Sequence, residues 1–289
     1  MNGVIERVYL WGTLVTFSHS IFALPFALIM LLVISRVYAV TWYQIVLLLV
    51  CVVSARTAAM TFNRIVDAGY DKSNERTKKR EIPSGRISRM EAWLLLLVTI
   101  GIFVASAFGL GAHCGALAIP VVAILLGYSF VKRFSLLCHF VLGLSLALAP
   151  GGVWYALTAQ WSWSPVPLMV AVLLWVAGFD IVYACQDIEF DRSMGLWSIP
   201  SKLGVKRALR LAVWLHVGSL LSLAVFGEVF GLGRIFWIGL AAFALLISSQ
   251  HVSVYRRGLD CVNRVFFTRN GLASFVLLVF VALEIFFGS

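Results

Sequence analysis

Asn63, Asp67 and Asp71 recur every four residues within the run Asn-Arg-Ile-Val-Asp-Ala-Gly-Tyr-Asp. On a helix that interval places them along one face. Two carboxylates and an amide oxygen in a row form an oxygen-rich edge suited to a hard divalent cation. A second acidic stretch, Asp180 to Asp191, repeats the interval at Tyr183, Asp187 and Asp191. One Asp-x-x-x-Asp alone reads equally as a helix end with solvated charges. Two matched pairs in a chain with only 13 acidic residues are harder to ascribe to surface decoration. Four carboxylates at one membrane face repel one another unless cations hold them. Two magnesium ions would supply that charge. Magnesium keeps waters and shares its shell with phosphate oxygens, so a diphosphate-bearing substrate is the natural third party.

The elements that must position these residues are membrane spans. The 289-residue chain is 61% hydrophobic and 12% charged, with a mean hydropathy of +0.96. Soluble domains carry about 25% charged residues. The apolar residues fall in runs long enough for a helix to cross the hydrocarbon core. The short alternating segments of a β-barrel are absent from the sequence. The fold class is therefore all-α and polytopic, with spans near 14–34, 42–62, 92–111, 114–131, 136–158, 166–185, 209–231, 235–252 and 270–287. Pro150-Gly-Gly152 predicts a break or kink in the fifth. The chain reads as one integral-membrane domain, 1–289, with four-helix halves at about 1–134 and 135–258 plus a final helix.

The net charge of +10 does not indicate a nucleic-acid partner, because no basic tract is interleaved with aromatics in a soluble domain. Of the 23 Lys and Arg, 19 lie in the even-numbered loops, the positive-inside pattern. This predicts an inner-membrane protein of bacterial type, with the N-terminus and both acidic stretches cytoplasmic and the C-terminus outside. No cleavable signal peptide is expected, since the first apolar stretch reads as a retained span.

Ionisable residues at depth are functional candidates. Arg56 lies seven residues before Asn63, and Asp180 lies seven before Asp187, each on the helical face of its motif. Arg56 reads alternatively as snorkelling to the interface. Asp180 reads alternatively as a structural partner of Arg56. Lys132 and Arg133 serve either as topology determinants or as ligands for a diphosphate or an acceptor's carboxylate. The five histidines lack metal-ligand spacing and read as core or interface residues. The five scattered cysteines read as small buried side chains, and the tryptophans as interfacial anchors.

The chain resembles the UbiA-type intramembrane aromatic prenyltransferases, whose best-known members prenylate 4-hydroxybenzoate in ubiquinone biosynthesis. The resemblance rests on Asn63-Arg64-x-x-Asp67-x-x-x-Asp71, on Arg76-Thr-Lys with Pro83-Ser-Gly-Arg86, and on Tyr183-x-x-x-Asp187-x-x-x-Asp191 followed by Gly195. Tyr128 with Lys132-Arg133 also matches, and the likeness spans nearly the whole chain. It implies nine transmembrane helices around a central cavity. It also implies one magnesium on Asn63, Asp67 and Asp71 and another on Asp187 and Asp191, with Arg64, Lys132 and Lys78 on the diphosphate of a polyprenyl donor. Tyr183 would orient a carboxylate or face the aromatic acid acceptor.

Two departures bear on the acceptor. Glu75 and Glu81 stand where relatives often have Pro. The first span carries Phe17-Ser-His-Ser-Ile-Phe-Ala-Leu-Pro25 in place of a charged Arg-x-Asp-Lys-Pro stretch. With Tyr183-Ala-Cys-Gln-Asp187, this looks like the branch that prenylates a dihydroxynaphthoate (1,4-dihydroxy-6-naphthoate) for menaquinone. A rival from another class is a secondary transporter built from paired half-repeats. Its binding carboxylates would belong at the bilayer midplane rather than at one face.

Overall fold

The computed structural model describes residues 3–14, 22–262 and 267–288. Phe17 to Ile21 of the first-span motif, including His19, and Arg264 lie outside the described residues. The described chain is helical: α1 Gly3–Leu14, α2 Leu24–Ile34, α3 Trp42–Ser73, α4 Arg89–Leu110, α5 Ala112–Val131 and α6 Cys138–Thr158. There follow α7 Val166–Ala184, α8 Ile188–Ser193, α9 Ile199–Leu203, α10 Val205–Val229, α11 Arg234–Arg257 and α12 Phe267–Phe287. Among the described residues, eight helical stretches are long and apolar enough to cross a membrane. The remaining expected span is represented by the 11-residue α2, and the stretch before it lies outside the described residues. Helix α1 has no counterpart in the sequence reading.

The chain divides into two compact units, one within Met1–Ser20 and Trp42–Phe130, the other within Ile21–Thr41 and Val131–Ser289. In the first, α4 packs along α3, and α1 also touches α3. Its core joins Leu14, Ala58, Ile65 and Ala68 to Ile82 and Ile87 of the connection between α3 and α4. That connection is therefore held by its own buried isoleucines. Helix α4 then starts on a capping box, Ser88 with Glu91, and Arg7 of α1 pairs with Glu91 at 2.8 Å.

Helix α3 has 32 residues and is about 48 Å long at 1.5 Å per residue. A hydrocarbon core needs about 20 residues. Counted from the exposed pair Trp42 and Tyr43, the apolar length is used up near Phe62. Asn63–Asp71 thus occupies a helical extension beyond the apolar part, past the end of the span expected at 42–62.

In the second unit, Trp175 of α7 sits at the centre of an aromatic cluster with Phe22, Phe26, Phe179 and Phe243, ring centroids 5.1–6.1 Å apart. Helices α6 and α7 approach closely at Gly143, where a Cβ would come within 2.4 Å of the Leu173 carbonyl. Helix α6 continues through Pro150 without the expected break.

Candidate active site

The first motif stays helical to Ser73, and its register is realised. The Asn63 side-chain amide donates to Asp67 Oδ2 at 2.9 Å, so the two residues share a face. Asp71 is buried. Its Oδ1 accepts from Arg80 at 2.6 Å, while Oδ2 is buried with no hydrogen-bond partner among the described residues. Thr77 bonds the Asp71 carbonyl at 3.2 Å, which draws the α3–α4 connection back onto the helix end. Arg64 is buried on the same helix and donates to the Leu14 carbonyl at 3.3 Å. Arg56 lies two turns deeper, with its Nε buried and without a hydrogen bond among the described residues. Tyr128 of α5 lies within electrostatic range of Arg56, Arg64 and Asp67. Lys78 pairs with the exposed Glu75 at 2.5 Å.

In the second motif the expected continuous helix is interrupted. Helix α7 ends at Ala184, a 3-10 turn spans Cys185–Asp187, and α8 carries Asp191. The interruption alters the regular four-residue spacing, and both Asp187 and Asp191 are nonetheless buried. Asp191 is 0% exposed. Its Oδ2 accepts from the Ser198 hydroxyl at 2.7 Å, and Oδ1 lies 2.7 Å from Lys132 Nζ. Burial alone would lower the Lys132 pKa. The Asp191 carboxylate and its hydrogen bond, with Asp187 and Asp180 in range, outweigh that penalty and raise it. The Lys132 carbonyl also accepts from the Trp197 N–H at 2.7 Å, which fixes the turn after α5 to the segment after α8. Arg133 is half-buried in that turn. Tyr183 packs against the apolar cluster of Ile181, Val182 and Ala212.

Asp180 has as its partner one of the histidines expected in the core or at an interface: His139 of α6, whose Nδ1 lies 2.6 Å from Asp180 Oδ2. Ser198 and Arg80, each bonded to a motif aspartate, were also not singled out. Ser198-Ile-Pro200-Ser201 does carry a readable signal, a serine N-cap with proline in the first turn, and Ser198 and Ser201 form the capping box of α9.

The donor set fits a hard cation. The groups are carboxylate and amide oxygens, one carboxylate oxygen of Asp71 is buried and accepts no hydrogen bond among the described residues, and Asp191 already faces an ammonium. Among the described residues no group of three or more His, Cys, Asp or Glu gathers as a metal site. Each motif offers two carboxylates, the number with which magnesium is commonly held when water and phosphate oxygens complete its shell.

Comparison with known proteins agrees with this architecture. A profile of the UbiA prenyltransferase family matches residues 13–282. The chain belongs to that family, and it is an integral-membrane prenyltransferase. It is 32% identical over 250 residues to a 4-hydroxybenzoate octaprenyltransferase of Azotobacter vinelandii, covering 83% of this chain and 81% of the relative. It is 31% identical over 223 residues to the protein of the same name from Sodalis glossinidius, covering 76% and 77%. The apo structure of a UbiA homologue from Aeropyrum pernix K1 superposes with a TM-score of 0.84 at 33% identity, covering 92% of this chain and 98% of the other. A UbiA homologue from Archaeoglobus fulgidus bound to GPP and Mg2+ shares the fold, with a TM-score of 0.70 at 20% identity over 96% of this chain and 99% of the other.

Proposed function

We propose that this prenyltransferase moves a polyprenyl group from a polyprenyl diphosphate to an aromatic acid of the 4-hydroxybenzoate type, in respiratory quinone biosynthesis. The allylic C–O bond breaks, a bond to a ring carbon forms, and diphosphate and a ring proton are released. The observation that carries this reading is the oxygen edge of Asn63, Asp67 and Asp71, with a buried Asp71 oxygen that accepts no hydrogen bond among the described residues. Asn63, Asp67 and Asp71 would hold one magnesium ion, and Asp187 and Asp191 a second. Bound metal neutralises negative charge that builds on the departing diphosphate.

The chain's own groups do the rest. Arg64, Lys132, Arg133 and Lys78 supply cationic donors for diphosphate oxygens or for the acceptor's carboxylate. Arg56, two turns deeper on α3, and Asp180, near the end of α7, contribute charge, and Tyr183 orients a carboxylate or faces the acceptor. The whole chain acts as one catalytic domain in an inner membrane of bacterial type, with both motifs cytoplasmic, as the distribution of Lys and Arg supports.

A second reading keeps the chemistry and changes the acceptor to 1,4-dihydroxy-6-naphthoate. It is favoured by the uncharged Phe17-Ser-His-Ser run and by Tyr183-Ala-Cys-Gln-Asp187. Membranes containing the protein, given a polyprenyl diphosphate and both acids in equal amounts, decide between them by mass spectrometry of the product. A prenylated benzoate supports the first reading and a prenylated naphthoate the second. Hydrolysis of the donor with neither product would defeat both.

A further inference from the structure

His139 belongs to neither acidic motif, yet it is 2% exposed and both ring nitrogens are engaged. Nε2 lies 3.2 Å from the backbone N–H of Ile199. A backbone N–H can only donate, so Nε2 is the acceptor and carries no proton. The ring proton of this neutral imidazole is therefore on Nδ1, directed at Asp180 Oδ2 2.6 Å away. A doubly protonated ring would set one N–H against another and lose the bond to Ile199. An apolar side chain would fill the same space but leave a buried N–H and a carboxylate without this partner, which is costly.

Ile199 opens α9, and the residue before it is Ser198, the N-cap. The Ser198 hydroxyl accepts from the Ser201 N–H at 3.2 Å and donates to Asp191 Oδ2 at 2.7 Å. A continuous run of polar contacts and one peptide link thus leads from Asp180 through His139 to the start of α9, and on to Asp191. With Oδ2 fixed by Ser198, Oδ1 is the oxygen turned toward a cation, at present Lys132.

We infer that His139 is a positioning residue for Asp191: Asp180 sets its tautomer, and the ring in turn holds the start of α9 so that Ser198 orients the Asp191 carboxylate. This inference rests on the reading that Asp191 holds a magnesium ion. Hydrogen-bonded partners of metal-binding groups commonly contribute about 10–100-fold to metal affinity.

The test uses the full purified chain carrying Asp67→Ala and Asp71→Ala, so that only the second motif responds. Magnesium is titrated at fixed inorganic diphosphate, and the thermal midpoint is followed. Adding Asp191→Asn should abolish the magnesium-dependent rise; an undiminished rise would remove the reading on which the inference stands. With that control in place, His139→Leu should raise the half-saturating magnesium concentration by about tenfold, as should Ser198→Ala. Their combination should raise it no further, because both act through one bond to Asp191.

His139→Gln keeps a donor and an acceptor separated by one carbon, and should stay within about threefold of the parent, as expected when the outer-shell bonds are retained. A merely structural role would not be rescued so selectively. An unshifted His139→Leu beside a shifted Ser198→Ala, or multiplying effects in the double variant, overturns the inference. Where His139→Leu fails to accumulate, His139→Asn carries the same expectation, because its shorter amide cannot reach both partners.

Discussion

Lys132→Met tests the second motif most sharply without metal. The substitution keeps an unbranched side chain of similar length and removes the ammonium 2.7 Å from a carboxylate that is 0% exposed. Removing one partner of a fully buried ion pair costs about 3–5 kcal/mol. The lysine side chain is 36% exposed, so water screens its half of the pair, and Ser198 still bonds Asp191. A discounted cost of about 2–3 kcal/mol follows. In metal-free detergent solution the thermal midpoint should fall by roughly 5–10 °C. Lys132→Arg, which keeps the charge, should fall less. If Asp191 holds magnesium, magnesium with inorganic diphosphate should supply it a cation, and the gap between Lys132→Met and the unaltered protein should narrow. Equal midpoints without metal would refute the energetic role of the pair. A gap indifferent to magnesium would refute a shared cation position at Asp191.

Three further outcomes follow from the same geometry. The Lys132 pKa is raised above its ordinary 10.5, so the pair's contribution is complete below that value and is lost only as pH rises through the higher folded pKa. Metal-free thermal scans should therefore show no Lys132-dependent loss between pH 7 and about pH 10, and a loss that begins near neutrality, absent in Lys132→Met, would contradict the assignment. Ile87, 1% exposed, anchors the α3–α4 connection, and Ile87→Ala should cost about 2–4 kcal/mol. Trypsin should then cut faster at Lys78, Lys79 and Arg80, and unchanged cleavage there would count against the anchoring role. Glu284 of α12 caps α11 by accepting from the Gly233 N–H at 2.9 Å and the Phe236 N–H at 3.1 Å. Glu284→Ala should cost about 1 kcal/mol of stability in unfolding assays and leave product formation unchanged. A large loss of turnover in the folded variant would assign Glu284 more than a capping role.

The spans were legible because their cause is local: a run of apolar residues long enough for the hydrocarbon core needs no knowledge of its neighbours. The first motif was legible for the same reason, since Asn63 and Asp67 meet within one helix. Long-range partners were not. His139 and Asp180 are 41 residues apart, and nothing in the spacing of the histidines joins them. A half-buried carboxylate inside a span nevertheless calls for a donor, and histidine belongs among the candidates. Arg80 and Ser198 reach Asp71 and Asp191 only after a connection folds back, on Ile82 and Ile87 in one case and on a capping box in the other. The interruption at Cys185–Asp187 carries no local signal either, since neither Gly nor Pro stands there.

The central claim is that paired aspartates drive magnesium-dependent prenyl transfer. Its most direct measurement follows diphosphate release and prenylated acid together in membranes given a polyprenyl diphosphate and an aromatic acid. The unaltered protein should form both in equal amounts, only with magnesium, whereas Asp67→Ala and Asp191→Ala should form neither while still inserting in the membrane. Product formation by both variants at the unaltered rate, or transfer undiminished by chelation, would contradict the account.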